Sequence, residues 1–451
     1  MSVNAVRGAF TARTNEGTAA IFAMTASTAN KFVGAGVAWD DVTVSGGYAL
    51  ADNEFWSMDQ TGVYLFAAAA GEPPQIIDVD SGTAFADVLG SPPQARIVRV
   101  VQDFVVLGDL STGRNRIHWS GLQDFNSSTA WTVGTKFSDV KIFPSDGFVS
   151  GITRVGGGLG GLILLTDGVY RFQRVASRSV FEFYQMEKNQ GTNSPSSIIE
   201  YAQTAYYYGL DGFQSAGPAG FGGDVGVEWI DEWFHANSNR SRLRTICGAR
   251  DPKRPRYFWL FPSEGNDTTT LDRIIGYDPL LKGWFHAEVM ATIIFPGAAP
   301  GVTLEGLDTL YPSGLESIPY SLDSDVWKGN VPGLYAFNEF DQLCSFSGLP
   351  MQARLQTTKF EPIKGRKFYT NGFRPIVDTG TLAGRIAVAD TPAEPLTWTS
   401  EANVASAFGK ISQRASGRYM QAEVRIGANA EWTHAAGIDF MDDDLVEMGE
   451  R

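Results

Sequence analysis

The chain is poor in cysteine, histidine and positive charge, and each shortage closes off a class of function. Its two cysteines, Cys247 and Cys344, stand in no metal or redox spacing, so neither a disulfide scaffold nor a thiolate cluster organises it, and both read as small apolar packing residues. The four histidines, His118, His235, His286 and His434, form no H-x-H or H-E-x-x-H arrangement, which removes the usual signature of a zinc hydrolase. Lys and Arg total 36 against 50 Asp and Glu, a formal net charge of −14. A protein that grips nucleic acid needs the opposite balance to displace counterions, whereas a like-charged wall past which DNA slides without sticking is compatible with it. No uninterrupted apolar run approaches the ~20 residues of a membrane span, and the first seven residues lack a signal peptide's apolar core and cleavage site. The expectation is a chain with no membrane segment, made and folded in a cytoplasm.

Helical periodicity is scarce too. One segment, 225–234, puts Val225, Trp229 and Trp233 on one face at i, i+4, i+8 spacing, and it reads as an insertion within 217–245 rather than as a core element. What abounds is strand. The chain of 451 residues carries 29 Phe, 15 Tyr and 11 Trp, types that favour pleated surfaces. Short runs such as 97–101, 104–107, 162–165, 205–208, 257–261 and 273–277 are β-branched or aromatic, and Gly, Asp and Pro punctuate them. A degenerate hairpin unit recurs: an apolar run, a Gly-containing turn with Asp or Asn, then an aromatic strand. Copies fall at 164–172, 207–214, 275–285 and 333–341. Asp-Gly in such a turn is expected to supply positive φ, and hairpins repeated around a ring predict a β-propeller. Hairpins of any all-β protein share this look, and the copies do not fix a blade number. From Gly348 the strands lengthen and alternate, as in 353–358, 384–388 and 418–426, which suits a half-buried sheet.

Candidate chemistry is thin. Residues 156–161 contain G-x-G-x-x-G, but the motif opens a strand, not the helix whose N-terminus would face a pyrophosphate, so it reads as a flexible loop. Asp78, Asp80 and Asp87, and likewise Asp323 and Asp325, lack the Gly and terminal Glu of a calcium loop and read as polar turns. No catalytic residue, metal ligand or cofactor site is assigned. A glycan-cleaving propeller would need two carboxylates flanking the bond, and the sequence singles out no pair.

One block is more specific than composition. Arg116-Ile117-His118-Trp119-Ser120 ends a strand, an Asp124-bearing loop closes on Trp131, and an apolar strand 162–165 turns at Asp167-Gly168. With 38–48, 60–64 and 85–96 before it, and 319–327, 365–367 and Arg374-Pro375 after it, this order of blocks resembles the nozzle and hub proteins of short-tailed bacteriophages over most of the chain. Together the strand patterns and the resemblance give an all-β chain: a propeller over 1–347, a β-sandwich-like domain over 348–440, read from its alternating strands, and an acidic, solvated tail over 441–451, read from its composition. The resemblance does not say how the first and last blades close.

It further implies a virion part, not an enzyme, that assembles as a homo-oligomeric ring, six copies in relatives. That ring would lie beneath the portal and adaptor, bear fibres or spikes outside, and let double-stranded DNA leave through its channel without sequence-specific binding. Arg116, Trp119, Ser120, Asp124, Trp131, Asp167 and Gly168 would then be structural. The Gly-rich segments holding Gly156, Gly158, Gly161, Gly220 and Gly223 are expected to be loops that gate the genome. The alternative is a glycan-binding or glycan-cleaving propeller of a tail spike.

Overall fold

The β-branched and aromatic runs at 162–165, 205–208, 257–261 and 273–277 lie in strands Gly160–Leu165, Thr204–Tyr208, Tyr257–Phe261 and Leu271–Asp278. The computed structural model describes residues 6–32, 39–154, 160–176, 179–226, 228–298, 301, 307–308, 311–318, 321–322, 327, 329–346, 348, 350–405, 409–440 and 445–448. They divide into two compact units, Met1–Phe346 and Ser347–Arg451.

In the first unit five antiparallel four-stranded meanders follow one another, at 8–41, 57–87, 95–142, 149–188 and 199–224, and a six-stranded sheet spans 247–345. That last sheet serves as two blades. Its long strand Gly283–Ala298 pairs first with Leu271–Asp278 and then, past a register break between Ala291 and Ile293, with Pro332–Asn338. The bulge lets one strand leave the outer edge of blade 6 and become the inner strand of blade 7.

Seven buried clusters seal seven interfaces. Phe22 and Met24 meet Met58 and Leu65 between blades 1 and 2, and Phe66 and Ile76 meet Val98 and Val105 between 2 and 3. Phe104 and Ile117 meet Ile152 and Ile163, and Leu162 and Leu164 meet Ala205 and Tyr207. Ile199 and Phe213 meet Tyr257 and Trp259, while Cys247 and Leu260 meet Ile294 and Leu334. The ring closes where Ile21 and Ala23 pack on Phe295 and Phe337, reinforced by Val6 N–H donating to Asp341 Oδ1 at 3.1 Å and Ala19 N–H to Asn330 Oδ1 at 2.7 Å. Each fully buried Leu, Ile or Phe contributes roughly 1.5–3 kcal/mol, so closure comes from side chains packed face to face between blades. This unit is a β-propeller.

The second unit is a β-sandwich. Ala353–Gln356, Tyr419–Ile426, Leu382–Ala389 and Thr397–Trp398 make one sheet, and Ile411–Gly417, Phe368–Val377 and Ala435–Asp439 the other. Ile411–Gly417 alternates buried and exposed along its whole length, and Phe368, Phe373, Ile386, Met420 and Val424 form the core between the sheets.

Four expectations are corrected. The acidic end is not wholly a free tail: Leu445–Glu447 pairs with Phe368–Val377, and Glu447 takes an ion pair from Arg366, because an open sheet edge offers backbone groups that outweigh the pull of acidic side chains towards water. The helix Glu228–Asn237 is part of the core, since Ile230 and Phe234 enter the blade 5–6 cluster, with Val225 and Trp233 partly buried against it. Cys344 is exposed rather than packed. Gly161 lies buried in strand Gly160–Leu165, where an added Cβ would strike the Thr153 carbonyl oxygen, and Gly220 and Gly223 lie in strand Gly220–Asp224, paired with Phe213–Gly217. These three are ladder residues, not gate loops; Gly156 and Gly158 lie outside the described residues, as do Asp323 and Asp325.

Candidate functional site

The block 116–131 belongs to blade 3. Strand Gly113–Trp119 carries it between neighbours, and the long turn that follows returns to the outer strand Asp139–Ile142. Trp119 packs into the blade 3–4 cluster, edge-on to Phe181 at 5.3 Å, and its Nε1 donates to Phe137 O at 2.8 Å. Trp131 packs into the blade 2–3 cluster on the other side and donates to Phe125 O at 3.2 Å. One turn therefore plugs both faces of its blade. Ser120 is fully buried; its Oγ accepts from Val105 N–H at 3.0 Å and donates to Gly121 O at 3.1 Å. Asp124 accepts from Ser127 Oγ at 2.7 Å and Lys136 Nζ at 2.8 Å, and the Lys136 bond above all holds its carboxyl below the usual range.

His118 sits beneath this turn. Its Nε2 lies 3.2 Å from Ser138 Oγ, its ring stands edge-on to Trp131 at 5.4 Å, and burial pushes its pKa down to about 4 against a small opposing pull from Asp139. Arg116 Nε is buried with no hydrogen-bond partner among the described residues. Asp167 and Gly168 lie at the Gly160–Leu165 to Gly168–Arg174 hairpin, but φ of Gly168 is not positive. A Cβ there would sit 3.0 Å from Asp146 Cβ, a tight contact that Asp146 would have to yield to; Gly212, at φ 147°, does use the conformation expected of Asp-Gly. Asp78 forms a local turn, accepting from Asp80 N–H at 2.9 Å and Ser81 N–H at 3.0 Å. Among the described residues no three His, Cys, Asp or Glu side chains group as metal ligands.

Two concavities hold charge. The first is the propeller axis, a cavity of about 560 Å³ lined by the inner strands of the blades. Its wall carries five arginines, Arg96, Arg99, Arg154, Arg244 and Arg250, and four carboxylates, Glu54, Asp59, Asp109 and Glu200. Ion pairs cross the axis: Arg154 to Asp59 at 3.3 Å joins blades 4 and 2, Arg99 to Glu200 at 3.5 Å joins 3 and 5, and Arg244 to Glu54 at 3.5 Å joins the start of 6 to the start of 2. Asp59 also accepts from Val100 N–H at 2.8 Å and Gln60 N–H at 2.9 Å. Arg96 forks onto Glu54 at 3.1 Å through both Nε and Nη2, and Arg114 forks onto Asp109 at 2.8 and 2.9 Å.

The second is a cleft of about 620 Å³ beside the helix, lined by Asp211, Asp224, Asp231, Glu232, His235 and Arg240. Burial pushes the Asp231 carboxyl up to about 6, against the downward pull of the 3.1 Å bond it accepts from Phe213 N–H. His235 Nε2 lies 2.8 Å from Tyr208 Oη, and burial lowers the imidazole pKa.

Neither concavity was singled out from the sequence, and the residues that were, around 116–131, line neither. The available signal was one charged residue in each of blades 2 to 6, Asp59, Arg99, Arg154, Glu200 and Arg250, recurring roughly every 40–55 residues, close to a propeller period.

No family model matches the chain, and no curated protein matches it. Among solved structures it is similar to the extracellular domain assigned to a hybrid two component system of B. thetaiotaomicron, at 12% identity and a TM-score of 0.43, with 88% of this chain covered. The chain spans 46% of that protein's length. It is also similar to the N-terminal domain of Nup159 (10% identity, TM-score 0.36, 75% of this chain and 89% of that one). A third is YCF48 bound to D1 peptide (9%, 0.34, 63% and 81%).

Proposed function

We propose that the chain is a structural virion protein of a bacteriophage tail, a nozzle or hub protein. In this reading it assembles as a ring, six copies on the implied pattern, around the DNA-ejection channel below the portal and adaptor. It retains the genome, allows its delivery and carries a platform for fibres. The observation that carries the reading is the use made of the block 116–131: its tryptophans wedge blade 3 between two neighbours, with their indole N–H groups and the buried Ser120 hydroxyl bonded within the blade. Residues spent this way support a rigid building block, and head-to-tail contacts that close by rotation make rings from such blocks.

The propeller axis is not the conduit. A cavity of about 560 Å³ crossed by ion pairs has the capacity of a small-molecule site, so the DNA path runs between copies, where the chain's negative charge would keep the wall from holding phosphate. The test is negative-stain imaging of the purified protein beside labelled virions. Six-fold rings, with label on the distal tail axis, are expected; monomers or trimers, with label on lateral spikes, overturn the proposal.

A second reading, a glycan-binding or glycan-cleaving propeller, draws on Asp231. An acid titrating near 6 in a cleft with Asp211, Asp224 and Glu232 has the paired-carboxylate chemistry of glycoside hydrolysis. Turnover of host polysaccharide that disappears in Asp231→Asn would establish it.

A further inference from the structure

We propose that the axial cavity of the propeller binds a small oxyanionic ligand, a phosphate ester or a sugar carboxylate, through the guanidinium groups of Arg99, Arg154 and Arg250. The argument starts from register. Ser57 Oγ bonds Val98 N–H at 3.2 Å and Asp59 bonds Val100 N–H at 2.8 Å, so the inner strands of blades 2 and 3 rise together. Arg154 N–H donates to Glu200 Oε2 at 3.3 Å, and Gly248 lies against Ser197 O and Ile199, which carries the same level on through blades 4, 5 and 6. Asp59, Arg99, Arg154, Glu200 and Arg250 thus lie near one level of the axis, three positive charges to two negative. The whole lining has five arginines to four carboxylates, a net of +1 by subtraction, inside a chain of net −14.

Exposure differs within the pairs: Asp59 is 2% exposed against 50% for Arg154, and Glu54 14% against 45% for Arg244, whereas Glu200 and Arg99 are close, at 24% and 28%. At Asp59 and Glu54 the carboxylate lies deeper than the guanidinium paired with it, so Arg154 and Arg244 are the parts a solute meets there. Arg250 has no carboxylate partner among the described residues and lies 5.9 Å from the Tyr201 ring centroid. A planar fork held over an aromatic ring, with two more arginines at its level, is matched to the two or three oxygens of a carboxylate or phosphate. The cavity volume of about 560 Å³ falls in the range of small-molecule sites. Were the arginines only ties between blades, the lining would need no fifth guanidinium.

The experiment is calorimetric titration of the full chain with inorganic phosphate and, separately, with glucuronate, each at constant ionic strength balanced with chloride. Arg250→Gln is the informative variant because Arg250 holds no blade-to-blade ion pair among the described residues; its melting temperature without probe, expected within about 2 °C of the parent, certifies its fold. Saturable one-to-one binding that weakens at least tenfold in Arg250→Gln is expected. Phosphate alone binding assigns a phosphate ester, glucuronate alone a sugar carboxylate, and both the shared oxyanion chemistry. Absence of saturation with either probe, or equal affinity of parent and variant, overturns the proposal.

Discussion

Acidification should loosen the propeller through His118. The imidazole is 7% exposed, sits between strand Gly113–Trp119 and the turn above it, and faces Ser138 Oγ and the edge of Trp131. A proton there would be buried, with a weaker offset from Asp139, which is why the folded pKa falls to about 4 from 6.5. The folded value lies below the unfolded one, so between the two the unfolded chain binds more protons. The stabilisation is fully present above pH 6.5 and is lost as pH falls through 6.5 towards 4. At about 1.4 kcal/mol per pH unit, the full span is roughly 3 kcal/mol.

His118→Phe keeps a ring against Trp131 but takes up no proton, and it gives up the Ser138 bond, worth about 1 kcal/mol. Urea unfolding followed by tryptophan fluorescence should therefore find the variant about 1 kcal/mol less stable than the parent at pH 7 and about 2 kcal/mol more stable at pH 4. Using the difference between the two proteins cancels every other titrating group. Parallel stability curves from pH 7 to 4 would refute the assignment of this pH dependence to His118.

Trp131→Ala should cost about 3–5 kcal/mol, as a large aromatic leaves a sealed interface and Phe125 O loses its donor; a urea midpoint shifted no more than by a surface substitution would remove the clamp from the account. Asp231 has the opposite sign to His118, because its folded pKa of about 6 lies above its ordinary value of 3.8. Its contribution is present at low pH and lost as pH rises through 4 to 6, so Asp231→Asn should gain about 1 kcal/mol on the parent between pH 4 and 7, a figure reduced for a half-exposed group; no change with pH in that difference would count against the burial argument. Truncation after residue 440 removes the strand Leu445–Glu447 and uncovers the edge of Phe368–Val377, so amides of 368–370 should exchange faster by hydrogen exchange, and unaltered protection would mean that the terminal strand is not held.

Strand content, hairpin turns and the change of pattern near residue 347 are local properties, carried by β-branched runs, Gly-containing turns and alternation within a few residues, and the all-β class was legible from them. The structural role expected of Trp119, Ser120 and Trp131 came from the family resemblance and from no local pattern. The rest depends on contacts between segments remote along the chain. Seven blades follow from one bulged strand, Gly283–Ala298, that belongs to two blades, and no local pattern announces a change of partner. Gly161, Gly220 and Gly223 read as loop residues because glycine favours turns, yet Gly161 sits in a ladder where a Cβ would strike the Thr153 carbonyl, and Gly220 and Gly223 hold positive φ within a strand. The charged axis left only a weak periodic signal: Asp59, Arg99, Arg154, Glu200 and Arg250 are remote along the chain and meet only when the ring closes, and closure is a sum of side-chain contacts between blades that no single segment contains.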